Sequence, residues 1–182
     1  MKIVKFIIHA VIFLAPLGYI LAKFSTQADP LSFIYSVSGY SVLCSLGLIV
    51  ILNFINVRKY SKLLGFFGFF YAFLHFLAFV ILDKGLNLTK VYSDILSQNF
   101  ALSGFIGLVL MAILAVSSLK FSWFRKVGLL FYPLLICAAL HYFLYPKIPQ
   151  LWHYSILIFA CLVAVIKVLN LIQKYKNNLK EA

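Results

Sequence analysis

The sequence predicts an all-α fold, an integral membrane bundle of six transmembrane helices with both termini cytoplasmic. Three observations carry that expectation. Of the 182 residues, 64% are hydrophobic and 11% are charged, whereas a soluble domain carries about a quarter charged residues and roughly half apolar ones. A soluble surface cannot be assembled from that remainder, so lipid must solvate much of the exterior. The apolar residues also gather into six runs, each near the roughly 20 residues that cross a bilayer. Finally, the 16 Lys and Arg, set against 4 Asp and Glu, fall in the short gaps between those runs.

The elements follow in order. The first segment, about residues 3–22, is preceded by Lys2 and Lys5. Its apolar run is longer than the h-region of a secretory leader, about 7–15 residues, so it is read as a retained helix. The second, about 32–54, opens after Asp29-Pro30, and the third, about 63–82, stops at Asp83-Lys84-Gly85. The gap from Asp83 to Asn99 is the longest and has room for a loop with one interfacial turn. Gln98-Asn99 precedes the fourth segment, about 100–119. The fifth, about 127–145, ends at Pro146, and the sixth, about 151–171, begins after Pro149. No gap is long enough for a soluble domain, so residues 1–182 read as one membrane domain. Ser32 and Ser36, Gly65 and Gly68, and Ser103 and Gly107 are small residues that let helix backbones approach closely in lipid. The sequence reads as a chain without an internal repeat.

Charge sets the orientation. With both termini inside, the cytoplasmic gaps hold Lys2, Lys5, Arg58, Lys59, Lys62, Lys120, Arg125, Lys126, Lys167, Lys174, Lys176 and Lys180. Only Lys23, Lys84, Lys90 and Lys147 fall outside, together with Asp29, Asp83 and Asp94. This is the positive-inside pattern. It accounts for the net charge of +12 without nucleic acid. Cys44, Cys137 and Cys161 lie deep in apolar runs and form no CxxC, which argues against a disulfide frame or a zinc site and reads each as a small buried residue. No GxSxG, HExxH or phosphate-cradling glycine loop points to hydrolysis.

Ionisable side chains within a membrane are costly, which makes the histidines the first functional candidates. His75 lies about 18 Å up the third segment and His141 about 21 Å up the fifth, at 1.5 Å per residue. Both segments run from inside to outside, so the imidazoles reach similar depths toward the periplasmic face and make a suitable axial pair for haem iron. Around His75, the stretch Gly65-Phe66-Phe67-Gly68-Phe69-Phe70-Tyr71-Ala72-Phe73-Leu74-His75-Phe76 combines small residues with rings that can pack on a macrocycle or simply fill core. His9 lies nearer the cytoplasmic side, where it serves a second cofactor or bonds a backbone carbonyl. Lys167 is within snorkelling reach of the inner interface. The basic gaps at Arg58 to Lys62 and Arg125 to Lys126 read first as topology signals. His153, between Trp152 and Tyr154, reads as part of an interfacial aromatic belt.

The run Lys62-Leu63-Leu64-Gly65-Phe66 with Tyr71-Ala72-Phe73-Leu74-His75-Phe76-Leu77 resembles the third helix of the MsrQ-type subunits, within the ferric reductase-like transmembrane family. His9 with Leu14-Ala15-Pro16-Leu17, Ala28-Asp29-Pro30, Gly39, Ser117-Ser118, Trp123, Tyr132 and Leu140-His141-Tyr142 extend the likeness over nearly the whole chain. The resemblance implies a haem b subunit of the bacterial inner membrane, with His75 and His141 as the haem iron ligands. It implies electrons taken from the quinone pool or a cytoplasmic flavin reductase and passed to MsrP. That partner is a periplasmic molybdenum enzyme that reduces methionine sulfoxide in oxidised proteins. It also implies FMN as a further cofactor. Two departures stand out. The family has a second histidine at the start of the fifth helix, where this chain reads Arg125-Lys126-Val127-Gly128-Leu129-Leu130. The family's paired arginines before its LGL element are here Ser61-Lys62. One haem is therefore expected, on the periplasmic side. The chain reads as an electron-transfer subunit without a substrate pocket of its own. A ferric or other metal reductase with the same haem relay, and a cofactor-free transporter or assembly factor, are the rival readings.

Overall fold

A computed structural model of the protein describes residues 2–119 and 127–180. Lys120, Trp123, Arg125 and Lys126 lie outside the described residues. The described chain is all-helical, with no strand among those residues. Seven α-helices are described: α1 Lys2–Lys23, α2 Pro30–Phe54, α3 Ser61–Leu77, α4 Leu88–Ser97, α5 Asn99–Leu119, α6 Phe131–Leu144 and α7 Leu151–Lys180. Five spans among them are long and apolar enough to cross a membrane: His9–Thr26, Pro30–Phe54, Ser61–Asp83, Asn99–Leu119 and Leu151–Leu179. The expected fifth span is a shorter apolar helix, Gly128–Leu144. It opens with a 3-10 turn at Gly128–Leu130 and carries Pro133 in the first turn of α6, where no amide proton is needed.

Large apolar side chains crowd the exterior of every spanning helix. Leu21, Phe54, Val116, Leu119 and Leu169 are each more than half exposed, which is stable only where hydrocarbon replaces water. The same solvent corrects one expectation. Cys44 and Cys161 sit on exposed helix faces and Cys137 is half-buried. A thiol behaves as a small apolar group, so an apolar run cannot say whether its cysteine faces lipid or protein.

The chain divides into two compact units, Met1–Tyr92 and Ser93–Ala182. In the first, α2 and α3 form the main pair and α1 lies against α2. Asp29 caps α2 by accepting the Ser32 amide at 3.0 Å, with Pro30 at the first helical position, where its missing N–H costs nothing. Ser38, Ser41 and Ser45 form one buried face of α2, and each hydroxyl bonds back to a carbonyl of its own helix, as small residues at membrane helix contacts do.

Tyr71 of α3 is tied to α1 at its proline. Pro16 lies inside that helix, where it removes an amide and crowds the preceding turn. The Tyr71 hydroxyl accepts the Leu17 amide at 3.2 Å and donates to the Phe13 carbonyl at 2.7 Å. Those groups lie one helical turn apart on either side of Pro16, and both reach a fully buried phenol. Around the bridge, Phe67, Phe70 and Tyr71 pack on the ring of Phe13, so three of the rings of the aromatic stretch serve the α1–α3 contact. Beyond His75 the helix widens into a π-helical segment, Ala78–Asp83.

The expected loop from Asp83 to Asn99 holds a helix, α4, whose start Asn87 caps through the Lys90 amide at 3.1 Å. In the second unit α6 packs against both α5 and α7. Helix α7 continues past the expected residue 171 to Lys180. At 1.5 Å per residue its 30 residues reach about 45 Å, beyond a hydrocarbon core of roughly 30 Å. The polar turns with Lys174 and Lys176 thus extend past lipid.

Candidate functional site

His75, His141 and His153 are each held by specific neighbours, and the chemistry of those neighbours sets which ring nitrogen carries the proton. His75 packs against α2. Its ring lies 5.0 Å from that of Tyr35, and its Nδ1 is 3.0 Å from the Ser38 hydroxyl. The single proton of that hydroxyl is directed at the carbonyls of Ile34, at 2.6 Å, and Tyr35, at 3.3 Å. Ser38 therefore accepts from the imidazole, and His75 carries its proton on Nδ1. In the second unit, His141 Nδ1 is 2.7 Å from the Phe100 carbonyl on α5. A carbonyl only accepts, so His141 is also protonated on Nδ1.

His153 is the opposite case. It is buried, 8% exposed, beside the more exposed Trp152 and Tyr154. Its Nδ1 accepts the Gln150 amide at 3.0 Å, and its ring stacks on Tyr142 at 4.6 Å and 19°. Its proton is therefore on Nε2, and its task is to close the first turn of α7.

A neutral imidazole ligates a metal through the nitrogen that lacks the proton, while the protonated nitrogen is held by a second acceptor. His75 and His141 have that arrangement, with Nδ1–H donated inward and the lone pair on Nε2, and His153 does not. Each of the two imidazoles, taken in its own unit, thus has the donor chemistry that a haem iron ligand needs. Among the described residues no group of three or more His, Cys, Asp or Glu converges on one point.

The neighbouring helices leave space for both rings. The Nδ1–Cε1 edge of His75 faces Gly39, where an added Cβ would lie 3.7 and 3.8 Å from ring atoms, ordinary contact. The same edge of His141 faces Gly104, where a Cβ would lie 2.5 Å from Nδ1 and 2.8 Å from Cε1. Only glycine fits there without moving the ring. His9 has a different environment: half-buried on α1, with its ring stacked on Tyr60 at 6.3 Å and 26°. Lys167 Nζ lies 5.7 Å above the ring of Tyr132, an aromatic resting place within the helix pair. The sequence-level candidates thus divide: the structure gives His75 and His141 one shared chemistry, and it gives His9 another. Ser38, Gly104 and the Phe100 carbonyl were not singled out by sequence as parts of a site.

Together these features describe an all-helical, multi-pass membrane protein with two histidines whose Nδ1 atoms are held by a neighbouring helix. The chain belongs to the ferric reductase-like transmembrane family, whose component matches residues 56–165. It is similar to the protein-methionine-sulfoxide reductase heme-binding subunit MsrQ of Brucella ovis, Brucella canis and Brucella suis. Each is 30% identical over 135 residues, covering 70% of this chain and 60% of the relative. The chain thus spans about 60% of the length of these curated relatives in the matched region. No solved structure matches the chain.

Proposed function

We propose that the protein is a haem b electron-transfer subunit of the bacterial inner membrane. In this reading it crosses the membrane six times with both termini in the cytoplasm, and His75 and His141 are the axial ligands of one haem toward the periplasmic side. It passes electrons from the quinone pool, or from a cytoplasmic flavin reductase, to the periplasmic molybdenum enzyme MsrP for repair of methionine sulfoxide. FMN is a further cofactor in this reading. The observation that carries it is the common state of the two histidines, each with Nδ1–H held and the lone pair on Nε2, in a chain whose relatives are named heme-binding subunits.

Haem bound there would supply a one-electron couple, with its potential set by ligands, hydrogen bonds and burial. The chain's own part is to orient two imidazoles, to keep water away with apolar helices, and to hold the Nδ1 protons in place. One haem rather than two follows from ligand supply, because His9 is the only other span histidine on the cytoplasmic side. Purified chain should show a b-type spectrum and close to one haem per polypeptide by pyridine haemochrome, and should be re-oxidised by MsrP. Absence of any Soret band would leave the transporter or assembly reading. Haem that reduces ferric chelates but not MsrP would favour the metal reductase.

A further inference from the structure

The two units carry the same small structure, which corrects the expectation of a chain without an internal repeat. Val37-Ser38-Gly39-Tyr40 on α2 corresponds to Leu102-Ser103-Gly104-Phe105 on α5, and Leu74-His75-Phe76 on α3 to Leu140-His141-Tyr142 on α6. Nearly equal lengths of chain separate glycine from histidine in the two copies. In each copy the Nδ1–Cε1 edge of the imidazole faces the glycine. In each copy a cluster of three groups forms around Nδ1: the imidazole, the serine hydroxyl, and a carbonyl one turn before the serine. Only the order of bonding differs. In the first, His75 donates to Ser38 Oγ, which donates to the Ile34 carbonyl at 2.6 Å. In the second, His141 donates directly to the Phe100 carbonyl at 2.7 Å, and Ser103 Oγ donates to the same oxygen at 2.8 Å.

We infer that these Ser-Gly pairs are a duplicated ligand cradle, and that Ser38 and Ser103 are positioning residues acting on their histidines in opposite directions. The inference rests on the haem reading above. An acceptor on Nδ1–H draws the proton away from the ring and raises the basicity of Nε2. Ser38 is that acceptor for His75, and its own donation to Ile34 polarises its oxygen, so the chain of bonds strengthens the ligand. Ser103 does the reverse. It occupies part of the Phe100 carbonyl's accepting capacity, so His141 donates to a poorer acceptor than it would without Ser103. A more basic imidazole favours ferric over ferrous iron, which lowers the potential. Removing Ser38 therefore raises the potential, and removing Ser103 lowers it.

The glycines make the arrangement possible. At Gly104 a Cβ would overlap the ring edge that must reach Phe100, whereas at Gly39 the longer route through the serine leaves ordinary clearance. One design thus appears in a tight form, with the imidazole on the main chain, and in a looser form, with a hydroxyl interposed.

The test uses the full chain purified in detergent with its native haem. Ser38→Ala, Ser103→Ala and Ser38→Thr are titrated potentiometrically against the Soret band, with low-temperature EPR of the ferric form. The expected result is a higher midpoint for Ser38→Ala, a lower one for Ser103→Ala, and a midpoint near wild type for Ser38→Thr, which keeps the hydroxyl. Shifts of the same sign in both alanine variants, or wild-type midpoints and g-values in both, would overturn the inference. If Ser38→Ala does not fold, the sign of the Ser103→Ala shift decides alone, because Ser103 is only half-buried. Failure of the haem reading is distinguishable: wild-type chain would then lack a b-type spectrum, or retain it unchanged in His75→Ala and His141→Ala.

Discussion

His75 and His141 stand at corresponding places in two units of the same chain, yet the first depends on a side chain and the second on the backbone. His75 gives its Nδ1 proton to Ser38, a group that a single substitution can remove. His141 gives its proton to the Phe100 carbonyl, which no substitution removes but which a misplaced atom can block. The first unit can therefore be retuned by changing one hydroxyl. The second resists retuning and tolerates no crowding.

The largest effect expected from breaking this comparison is loss of the cofactor itself. If the proposed ligand pair is right, His75→Ala or His141→Ala should each remove most b-type absorbance in membranes, because either change takes away an imidazole proposed to hold the iron and leaves a cavity in an apolar helix pair. Unchanged spectra in either variant would show that the matched arrangement of the two rings serves something other than iron.

Next in size is a contrast between the glycines. Gly104→Ala places a Cβ 2.5 Å from Nδ1 of His141, so the ring must leave its bond to Phe100, and most haem should be lost. Gly39→Ala places a Cβ at ordinary contact with His75, and haem content should stay within about a factor of two of wild type, since alanine also favours the helix by up to about 1 kcal/mol over glycine. Haem per purified polypeptide measures both. Equal losses would mean that the two clearances are not functionally different.

These contrasts also mark what could be read from sequence. His75 and His141 were legible because a histidine inside an apolar run demands a reason. Membership of an all-helical membrane class was legible because composition leaves no alternative. Ser38 was not legible, since a serine in a membrane helix by default bonds its own backbone, and Ser38 does that as well. Its second role depends on a neighbouring helix. Gly104 is not legible either: the spacing of small residues points to Ser103 and Gly107, while the tightest approach falls on the glycine between them. The repeat is hard to read because it comprises two short motifs inside helices that otherwise differ. The helix α4 and the π-helical turn after His75 were equally invisible, since a short amphipathic segment resembles a loop and a π-turn has no composition of its own.

A third effect falls on stability and spares the haem. Tyr71→Phe keeps the ring packed against Phe13 and removes only the hydroxyl bonded to Leu17 and Phe13 on either side of Pro16. Each of the two lost hydrogen bonds contributes about 0.5–1.5 kcal/mol. The variant should lower the thermal midpoint of the detergent-solubilised protein by several degrees, with its visible spectrum unchanged. A shifted Soret band would instead connect Tyr71 to the cofactor.

The smallest expected effect is at His153, which lies in the same unit as His141 and stacks on Tyr142, the residue beside it. Proximity in sequence and the shared imidazole would suggest an equivalent role, but its proton position argues otherwise. Its Nδ1 accepts the Gln150 amide, which assigns the proton to Nε2 and spends the lone pair on the helix start. Binding iron through Nε2 would require the proton to move to Nδ1, where it would face a backbone N–H, and the bond that closes the first turn of α7 would be lost. His153→Ala should therefore keep full haem content and an unchanged midpoint potential. It should cost about 0.5–1.5 kcal/mol for the lost bond, together with the stacking on Tyr142. His153→Asn, whose side-chain oxygen can still accept the amide, should recover part of that stability. Loss of haem in both variants would make His153 a ligand and would end the use of the Nδ1 partner as the criterion that separates the histidines of this chain.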